Sequence, residues 1–573
     1  MRSVPAAAAL ILLALSVGTA SSAEPDDDQT TARRRAELSP LLVDAIAQEM
    51  VQSFDSTHGG FGRGAKLPAH GPIALGLRLY AEYADQRMLG VVTKTLDEIA
   101  RGGIHDHLGG GFHRSAVDRA WEIPHFEKPA HVNAQLLASY LHAYQATGRP
   151  RYREVAEGII AYTNRVLSDQ ARGGFFAHQD TGSGDDAGYY TWDPSEIAAA
   201  LPREEAEVII PWYGITPPGN MPGARGRTVL RIVTTEETLA RELSRPLSTV
   251  KAQIASGRAR LLEARNRRRA PPVDRTLFAD RNGMMISAYL EAYRVLRRDD
   301  LRAFAVKSLD RVLSELRAAD GSLWHASAGD PSRSPAFLAD HVWVSEALMQ
   351  GFQTTGDLRY LTAAREVMDR ALRTLWDPVG GGFFDVPPDA ASSASKPASA
   401  ETVADHGVPA PNAMAALVLD QLAELSNVEV YRQKADQLLR AFAGSVTGQG
   451  QLAASYALAL DLHLRPAPHA VIIGPLSDPR TRALWQAALG AFRPGAVVAA
   501  YDPSTVKPAD LPPPVSAAAR NTRAAGVPQA YVCMATSCSF PTSDPVAAAR
   551  LVATFERQGA RPRPADGQRG ADR

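Results

Sequence analysis

The stretch GGIHDHLGGGFHR at Gly102–Arg114 is the fullest copy of a glycine-rich turn that occurs six times along the chain. The other copies, some of them degraded, lie at Gly173–Asp180, Gly380–Asp385, His58–Gly62, Asp320–Ser327 and Gly448–Ser455. An apolar pattern of helical period precedes each copy. Because glycine tolerates a positive φ, it ends helices and lets the chain reverse tightly. Six such units predict a closed ring of helical hairpins, with the turns gathered around one end of a central hole.

A second repeated phrase joins the helices in a different way. It reads YQATGRPRYREVA at Tyr144–Ala156 and FQTTGDLRYLTAA at Phe352–Ala364, with weaker copies elsewhere. The predicted order is helix, TG-type turn, helix, glycine–aromatic turn, helix, which indicates one supersecondary unit used many times. The spacing from Gly174 to Asp320 is too long for one unit, so we expect an insertion at about residues 185–275.

The composition is that of an ordinary globular chain. Of 573 residues, 45% are hydrophobic and 22% are charged, which is ample material for a large core. Lysine plus arginine number 62, as do aspartate plus glutamate, so the net charge is zero. This balance offers no electrostatic case for binding nucleic acid or a membrane surface.

The N-terminus has the pattern of a secretory signal. Met1-Arg2 gives a positive start, Ala6–Val17 is apolar, and small residues precede Ala23. We expect cleavage near Ala23 and export to the periplasm or the exterior; the alternative is a retained anchor. Residues 24–36 read as a disordered leader. No later segment reaches the length of apolar sequence that a membrane-spanning helix needs.

The pattern changes after Leu464. Residues 37–465 are assigned to the helical ring, whereas His469–Gly474 and Ala496–Tyr501 read as buried strands. They predict a small α/β appendage at 466–555, followed by a disordered tail at 556–573. The appendage holds both cysteines of the chain, Cys533 and Cys538, which either form a disulfide or remain as two reduced core thiols.

Longer motifs resemble a known family. They include GGFGRGAKLP, the stretch from Gly102 through HFEK to NAQL, GGFFAHQD with GYYTW, RNGMMISA, and AYVCMATSCSFP. In this order they are similar to the spermatogenesis-associated protein 20-like family, whose bacterial members are the YyaL-type, thioredoxin-domain-containing proteins. The resemblance covers roughly Phe54 to Leu551. It implies a mainly α fold, an (α/α)6 toroid like that of six-hairpin glycosidases and sugar 2-epimerases.

The chain departs from the family pattern at two kinds of place. Too few residues lie between the signal and Leu38 to hold the family's N-terminal thioredoxin-like domain. The family's HFEKMLYDNAQL reads here with His131 and Val132 in place of an aromatic and an aspartate, and Arg281 replaces a tryptophan. These changes favour altered or lost chemistry in the cavity.

Sugar chemistry in a toroid needs groups that give and take protons, and aromatic faces that stack on sugar rings. Such residues cluster at the glycine turns and at helix starts. The candidate catalytic groups are Asp106, His113, His125, Glu127, Asp180 and Asp340. The candidate ligand-binding residues are His105, Arg114, Trp121, Asn133, Gln179, Tyr190, Trp192, Asn282, His341 and Asn412.

Each of these residues also has a structural interpretation. Asp106 and Asp340 could cap a turn and a helix, and Glu127 could pair with Lys128. No metal is expected, because His105 and His107 lack the i,i+4 spacing of a helical metal pair. No cofactor is expected either, since the glycine run does not lie between a strand and a helix and no Walker loop occurs.

The sequence therefore predicts an exported toroid of the carbohydrate-active type. If it is an enzyme, we expect acid–base chemistry on a small-molecule or oligosaccharide ligand, as in an epimerase or a glycosidase. The first alternative is a non-catalytic toroid that binds carbohydrate or protein. The second is an accessory to a separate thioredoxin-fold partner, which would replace the missing domain in trans.

Overall fold

A computed structural model describes residues 35–181, 187–318, 320–330, 333–387, 403–506, 513–534 and 537–555. The predicted signal peptide, most of the predicted leader and the predicted tail lie outside these ranges. Export therefore stays a prediction. No helix within the described ranges combines the length and apolar character needed to cross a bilayer.

Helices dominate the chain, and most of its strands are only two residues long. The first five helices are α1 Pro40–Ser53, α2 His70–Tyr83, α3 Gln86–Arg101, α4 Ala130–Thr147 and α5 Pro150–Tyr162. Next come α6 Ala187–Tyr190, α7 Pro194–Ala200, α8 Arg203–Tyr213, α9 Glu236–Glu242 and α10 Leu247–Asn266. They are followed by α11 Ala279–Leu296, α12 Asp299–Glu315, α13 Leu338–Thr355, α14 Leu358–Thr374, α15 Pro411–Ser426, α16 Glu429–Phe442 and α17 Ala454–Leu464. The last are α18 Pro479–Leu489, α19 Pro513–Ala525 and α20 Pro545–Thr554. The strands are β1 Ser115–Ala116, β2 Pro124–His125, β3 Lys128–Pro129, β4 His178–Gln179, β5 Thr191–Trp192, β6 Thr228–Val229, β7 Val273–Asp274, β8 His469–Ile473, β9 Val497–Tyr501, β10 Gln529–Met534 and β11 Ser537–Cys538.

Six helices form a closed inner ring. The order of contact is α2, α4, α11, α13, α15, α17 and back to α2. Five of them pack against the outer helix that follows in the chain, namely α3, α5, α12, α14 and α16. The sixth, α17, packs against α1, and the Glu49 carboxylate of α1 accepts hydrogen bonds from the amides of Gly448 and Gly450. The chain thus closes on itself, and the predicted (α/α)6 toroid is confirmed.

The two ends of the ring are built from different turns. Each of five inner helices passes to its outer partner through one residue in the left-handed region: Ala84, Gly148, Arg297, Gly356 or Asn427. The amide of that residue bonds back to the last helical turn, as is usual for a C-terminal cap. The glycine turns therefore all lie at the opposite end, beside the N-termini of the inner helices.

The stretch Gly102–Arg114 shows why its glycines are needed. Gly111 has a φ of +74°, and a Cβ there would lie 2.4 Å from the ring of Tyr162. The side chain of Asn133, on α4, accepts a hydrogen bond from the Phe112 amide at 2.8 Å and donates to its carbonyl at 3.0 Å. The turn is therefore held tightly against the inner helix that follows it.

This contact recurs at two other turns. Asn282 and Asn412 make the same pair of bonds to the phenylalanines of their own glycine turns. All three asparagines are fully buried. The side-chain amides of Asn133, Asn282 and Asn412 thus hold the turns, which gives all three a structural role, and their predicted ligand-binding role stays a prediction.

The insertion forms a small helical unit of its own. Helices α7 to α10 enclose a core that includes Trp192, Ile209 and Leu261. Asp193 caps α7 and Pro194 occupies its first turn, as the sequence predicts. Arg265, near the end of α10, reaches back to the glycine turn of α3 and α4. The insertion is thereby attached to the outside of the ring.

The appendage lies under the C-terminal ends of the inner helices. Its sheet has the order β11-β10-β8-β9, in which only β8 and β9 are parallel. Gln353, near the end of α13, accepts hydrogen bonds from the Trp485 indole and the Val498 amide. Cys533 and Cys538 lie opposite each other on β10 and β11 and form a disulfide.

Candidate functional site

The end of the toroid that carries the glycine turns forms its mouth. The short sheet β3-β4-β7 crosses this end between α4 and α11. In its register His178 lies opposite both Pro129 and Asp274. The loops before α11 and α13 complete the rim. Two clusters of histidine and carboxylate side chains lie here.

The first cluster pairs a buried carboxylate with an imidazole. Asp340, on the first turn of α13, is 0% exposed. Its carboxylate accepts hydrogen bonds from the amides of Phe337 at 2.8 Å and Asp280 at 3.0 Å. The same carboxylate lies 2.9 Å from Nδ1 of His325. Both carboxylate oxygens are thus fixed, and the buried Asp340 is connected to the partly exposed surface of the cluster through His325.

The imidazole of His325 is held in one orientation. Its ring lies between those of Phe278 and Phe337, with centroid distances of 4.9 and 4.8 Å. The side chain is 21% exposed. Since Nδ1 faces Asp340, Nε2 is the ring nitrogen that can exchange a proton with a ligand.

The pKa values of both members of this pair are raised. Burial raises the pKa of Asp340 to about 6. Partial burial lowers the pKa of His325, but its hydrogen bond with Asp340 and the charge of that carboxylate raise it overall above its usual value. A carboxyl group with a raised pKa, bonded to an imidazole, is suited to acid–base catalysis.

The second cluster lies on the short sheet. Donor atoms of Glu127, His178 and Asp180 are all within 4.8 Å of one another. Glu127 pairs with Arg114, and not with Lys128 as one interpretation of the sequence had it. Nδ1 of His178 lies 3.7 Å from the carboxylate of Asp274. These side chains are partly exposed, so they are accessible to a ligand at the rim.

Two residues at family departures also lie at this end. Burial, followed by the charge of Arg281, lowers the pKa of His131 to about 4, so this imidazole is neutral. The guanidinium of Arg281 lies over the ring of Phe278 at 4.2 Å. Arg281 thus adjoins the ring that orients His325, and its charge also acts on the His325 pKa.

Asp106 is buried inside its own glycine turn, where it accepts hydrogen bonds from the Leu108 and Gly109 amides. Its carboxylate lies 2.9 Å from Nζ of Lys128 and 2.7 Å from the guanidinium of Arg265. Burial alone would raise the pKa of Asp106, but the charges of Arg265 and Lys128 hold it well below its usual range. A carboxylate that stays ionised and enclosed cannot act as a general acid. These contacts give Asp106 a structural role, and its predicted catalytic role stays a prediction that they do not support.

The structure also shows where the remaining catalytic candidates lie. His113 is buried, bonds through Nδ1 to the Phe126 carbonyl at 2.9 Å, and is kept neutral because burial and the charge of Lys128 lower its pKa to about 3. His125 is exposed on β2. Of the six candidates, the structure brings Glu127 and Asp180 together and places Asp340 beneath His325.

Most of the aromatic candidates are core residues. Trp121 is buried and donates through its indole to the His58 carbonyl. Tyr190 is buried, stacks on Phe126 and donates to Gln179. These rings present no open face to a sugar at the mouth.

Three further candidates have other surroundings. The buried Trp192 lies under the guanidinium of Arg268 at 3.9 Å. His341 is buried and bonds to the Phe337 carbonyl. His105 stacks on Phe112 and lines a groove of about 580 Å³ beside the insertion. That groove is separate from the two clusters at the mouth.

Three residues of the clusters, His325, His178 and Asp280, are not among the site residues predicted from the sequence. Two of them stand in copies of the glycine turn, His325 in DGSLWHAS and His178 in GGFFAHQD. The available signal was their place in such a turn just before an inner helix. The pairing of His325 with Asp340 is seen only from the distance between their side chains in the structure.

Both clusters have donor sets that divalent ions accept. Asp280, His325 and Asp340 form a second group whose donor atoms lie within 4.8 Å. Each cluster already has an internal explanation, because Glu127 pairs with Arg114 and His325 pairs with Asp340. The expectation of no metal stays a prediction.

Comparison with known proteins supports the predicted resemblance. The chain is 28% identical over 548 residues to spermatogenesis-associated protein 20 of Homo sapiens, an alignment that covers 88% of this chain and 68% of that protein. No protein-family model matches the chain. The resemblance seen in the motifs is therefore confirmed along most of the length.

Solved structures show a more distant similarity. A D-mannose isomerase aligns with 73% of this chain and 96% of its own, at 10% identity and a TM-score of 0.46. A GH76 alpha-mannanase of Bacteroides thetaiotaomicron aligns with 74% of this chain and 95% of its own, at 10% identity and a TM-score of 0.45. Values at this level carry no conclusion about chemistry, and the toroid rests on the contacts between the chain's own helices.

Proposed function

We propose that the protein is an enzyme that moves a proton on a sugar at the mouth of the toroid. The observation that carries this proposal is the pair formed by Asp340 and His325. A fully buried carboxylate orients an accessible imidazole, and the pKa values of both groups are raised above their usual values. An oriented imidazole of this kind serves as a general base and then as a general acid.

The geometry favours an epimerase-like reaction over glycoside hydrolysis. Hydrolysis uses two carboxyl groups that both reach the scissile bond. Asp340 has no exposed surface, and of the two partly exposed carboxylates at the rim, Glu127 is already paired with Arg114. Removal of a proton from the carbon beside a sugar carbonyl needs one well-placed base, which His325 supplies. Glu127, His178 and Asp180 would then bind sugar hydroxyls at the rim.

Exchange of hydrogen for deuterium tests this directly. Free aldoses incubated with the protein in D₂O should take up deuterium at C2, which NMR detects even without net conversion. We expect His325→Gln to lower the rate by at least about 100-fold, the usual contribution of a general base. Melting temperature should change little, because glutamine keeps an N–H group that can donate to the buried Asp340 carboxylate.

The chain offers a matched control. His463 forms a similar pair with Asp420, with Nδ1 at 3.0 Å from the carboxylate, on α17 and α15. His463→Gln should leave the exchange rate unchanged. Sugar binding without exchange would favour the non-catalytic toroid instead. An exchange rate that survives His325→Gln would contradict the assignment.

The appendage favours the second candidate function, an accessory role beside a thioredoxin-fold partner. Cys538 is exposed on a short strand, and Phe540, two residues further along the chain, is 94% exposed. A disulfide also supports the proposed export, since such bonds persist outside the cytosol. A two-dalton mass increase on reduction, and capture of Cys538 by a thioredoxin lacking its resolving cysteine, would support this role; free thiols in the native protein would contradict it.

A further inference from the structure

A second cavity lies on the axis of the toroid, towards the end opposite the mouth. It has a volume of about 220 Å³ and is lined by residues of all six inner helices. The appendage contributes residues 488, 489 and 491–496 together with 498 to its wall. We call this space the axial chamber; its polar wall includes His142, Arg294, Glu346, Gln350 and Gln421.

Several polar atoms of this wall have no hydrogen-bond partner among the described residues. They are Nε and one terminal nitrogen of Arg294, and the side-chain oxygens of Gln350 and Gln421. These atoms are buried, and the side chain of Arg294 is more than nine-tenths buried. Burying a polar atom without a partner is costly, and native proteins rarely do so. The chamber is therefore built to hold something polar.

The charges of the wall argue against an ionic occupant. The guanidinium of Arg294 faces the carboxylates of Glu291 and Glu346. Glu291 also lies 3.2 Å from Nε2 of His142. Glu346 accepts a hydrogen bond from the amide of Gln350 at 2.8 Å. Because positive and negative groups lie close together in this wall, their net electrostatic attraction for an anion or a cation is small.

The unpartnered atoms are instead a mixture of donors and acceptors. Arg294 offers N–H groups, whereas Gln350 and Gln421 offer carbonyl oxygens. A hydroxyl group both donates and accepts, so neighbouring hydroxyls of one molecule can satisfy both kinds of atom. The chamber has room for about seven waters at ~30 Å³ each, or for one molecule of monosaccharide size.

We infer that the axial chamber binds one small polyhydroxylated molecule, a polyol or monosaccharide, at a site separate from the mouth. Arg294 donates to it, and Gln350 and Gln421 accept from it. The apolar wall, which includes Leu77 and Leu417, packs against its carbon skeleton. This site is independent of the proposed reaction at the mouth.

Polyols without a carbonyl group separate the two sites, because they cannot undergo the proposed reaction. Calorimetric titration of the full chain with myo-inositol and with D-sorbitol should show one saturable site for at least one of them. Gln421→Leu removes an unpartnered oxygen at similar volume, so it should fold. It should weaken binding by about fivefold, as for one lost hydrogen bond of ordinary strength.

Gln135→Leu is the matched control. Gln135 is also a buried glutamine of an inner helix with an unpartnered oxygen, but it does not line the chamber. It and His325→Gln should bind the polyol as the wild type does. Loss of polyol binding in His325→Gln, with Gln421→Leu unaffected, would assign the ligand to the mouth and overturn the inference. No binding of either polyol, with ordered waters alone on Arg294, Gln350 and Gln421 in a crystal structure, would also overturn it.

Discussion

Replacement of Asp106 by asparagine should destabilise the protein without touching the proposed chemistry. Asparagine keeps the shape of the side chain and an oxygen for the Leu108 and Gly109 amides. It leaves the buried cations Lys128 and Arg265 without their counter-charge. Removing one partner of a buried ion pair costs about 3–5 kcal/mol, a large part of the ~5–15 kcal/mol that typically stabilises a domain.

For Asp106→Asn we expect a destabilisation at the lower end of the range of about 3–5 kcal/mol. Burial lowers the pKa of Lys128 to about 8. In the variant this lysine can lose its proton at modest cost, whereas Arg265 cannot. We therefore expect the free energy of unfolding to fall by about 3 kcal/mol, which is the energy of a shift of about two pKa units. The loss should concentrate in the insertion, because Arg265 attaches α10 to the ring.

Limited proteolysis is the appropriate assay, since a chain of this size with several cores need not unfold in one step. Cleavage within α10 should appear in Asp106→Asn under conditions that leave the wild type intact. Asp299→Asn is the control, because that side chain is 81% exposed and its replacement should cost less than about 0.5 kcal/mol. Unchanged protease resistance together with lost sugar turnover would refute the structural role.

Asn282→Ala should lower the free energy of unfolding by about 2–4 kcal/mol, because it leaves the buried amide and carbonyl of Phe175 without a hydrogen-bond partner. Thermal unfolding measures this loss, and Asn266→Ala, at an exposed position, is the control. The raised pKa of Asp340 means that its protonated form favours folding, so this contribution is present below pH 3.8 and is lost as pH rises through about 6. The stability of the wild type relative to Asp340→Asn should therefore fall across that window, and a flat difference would contradict it. Reduction of the disulfide should leave C2 exchange at the mouth unaffected.

The sequence alone determined the architecture. Glycine turns and helical periods are local signals, since a positive φ or an apolar face depends on nearby residues. The closure of α1 on α17 followed from counting turns. The asparagines at the starts of inner helices were visible too, but an amide in that position looks the same whether it holds a turn or a ligand. Only the structure shows that the side chain of Asn133 holds a turn.

The tertiary structure decided which polar residues are free to react. Asp106 and Asp340 are both acids beside glycine turns, yet they have opposite pKa shifts. Asp106 is held ionised by Arg265, which lies 159 residues away in the chain. Asp340 is buried beneath His325 and also accepts a hydrogen bond from the Asp280 amide at the start of α11, in a neighbouring hairpin. Burial and charge partners are set by contacts between distant segments, and no local pattern of residues encodes them.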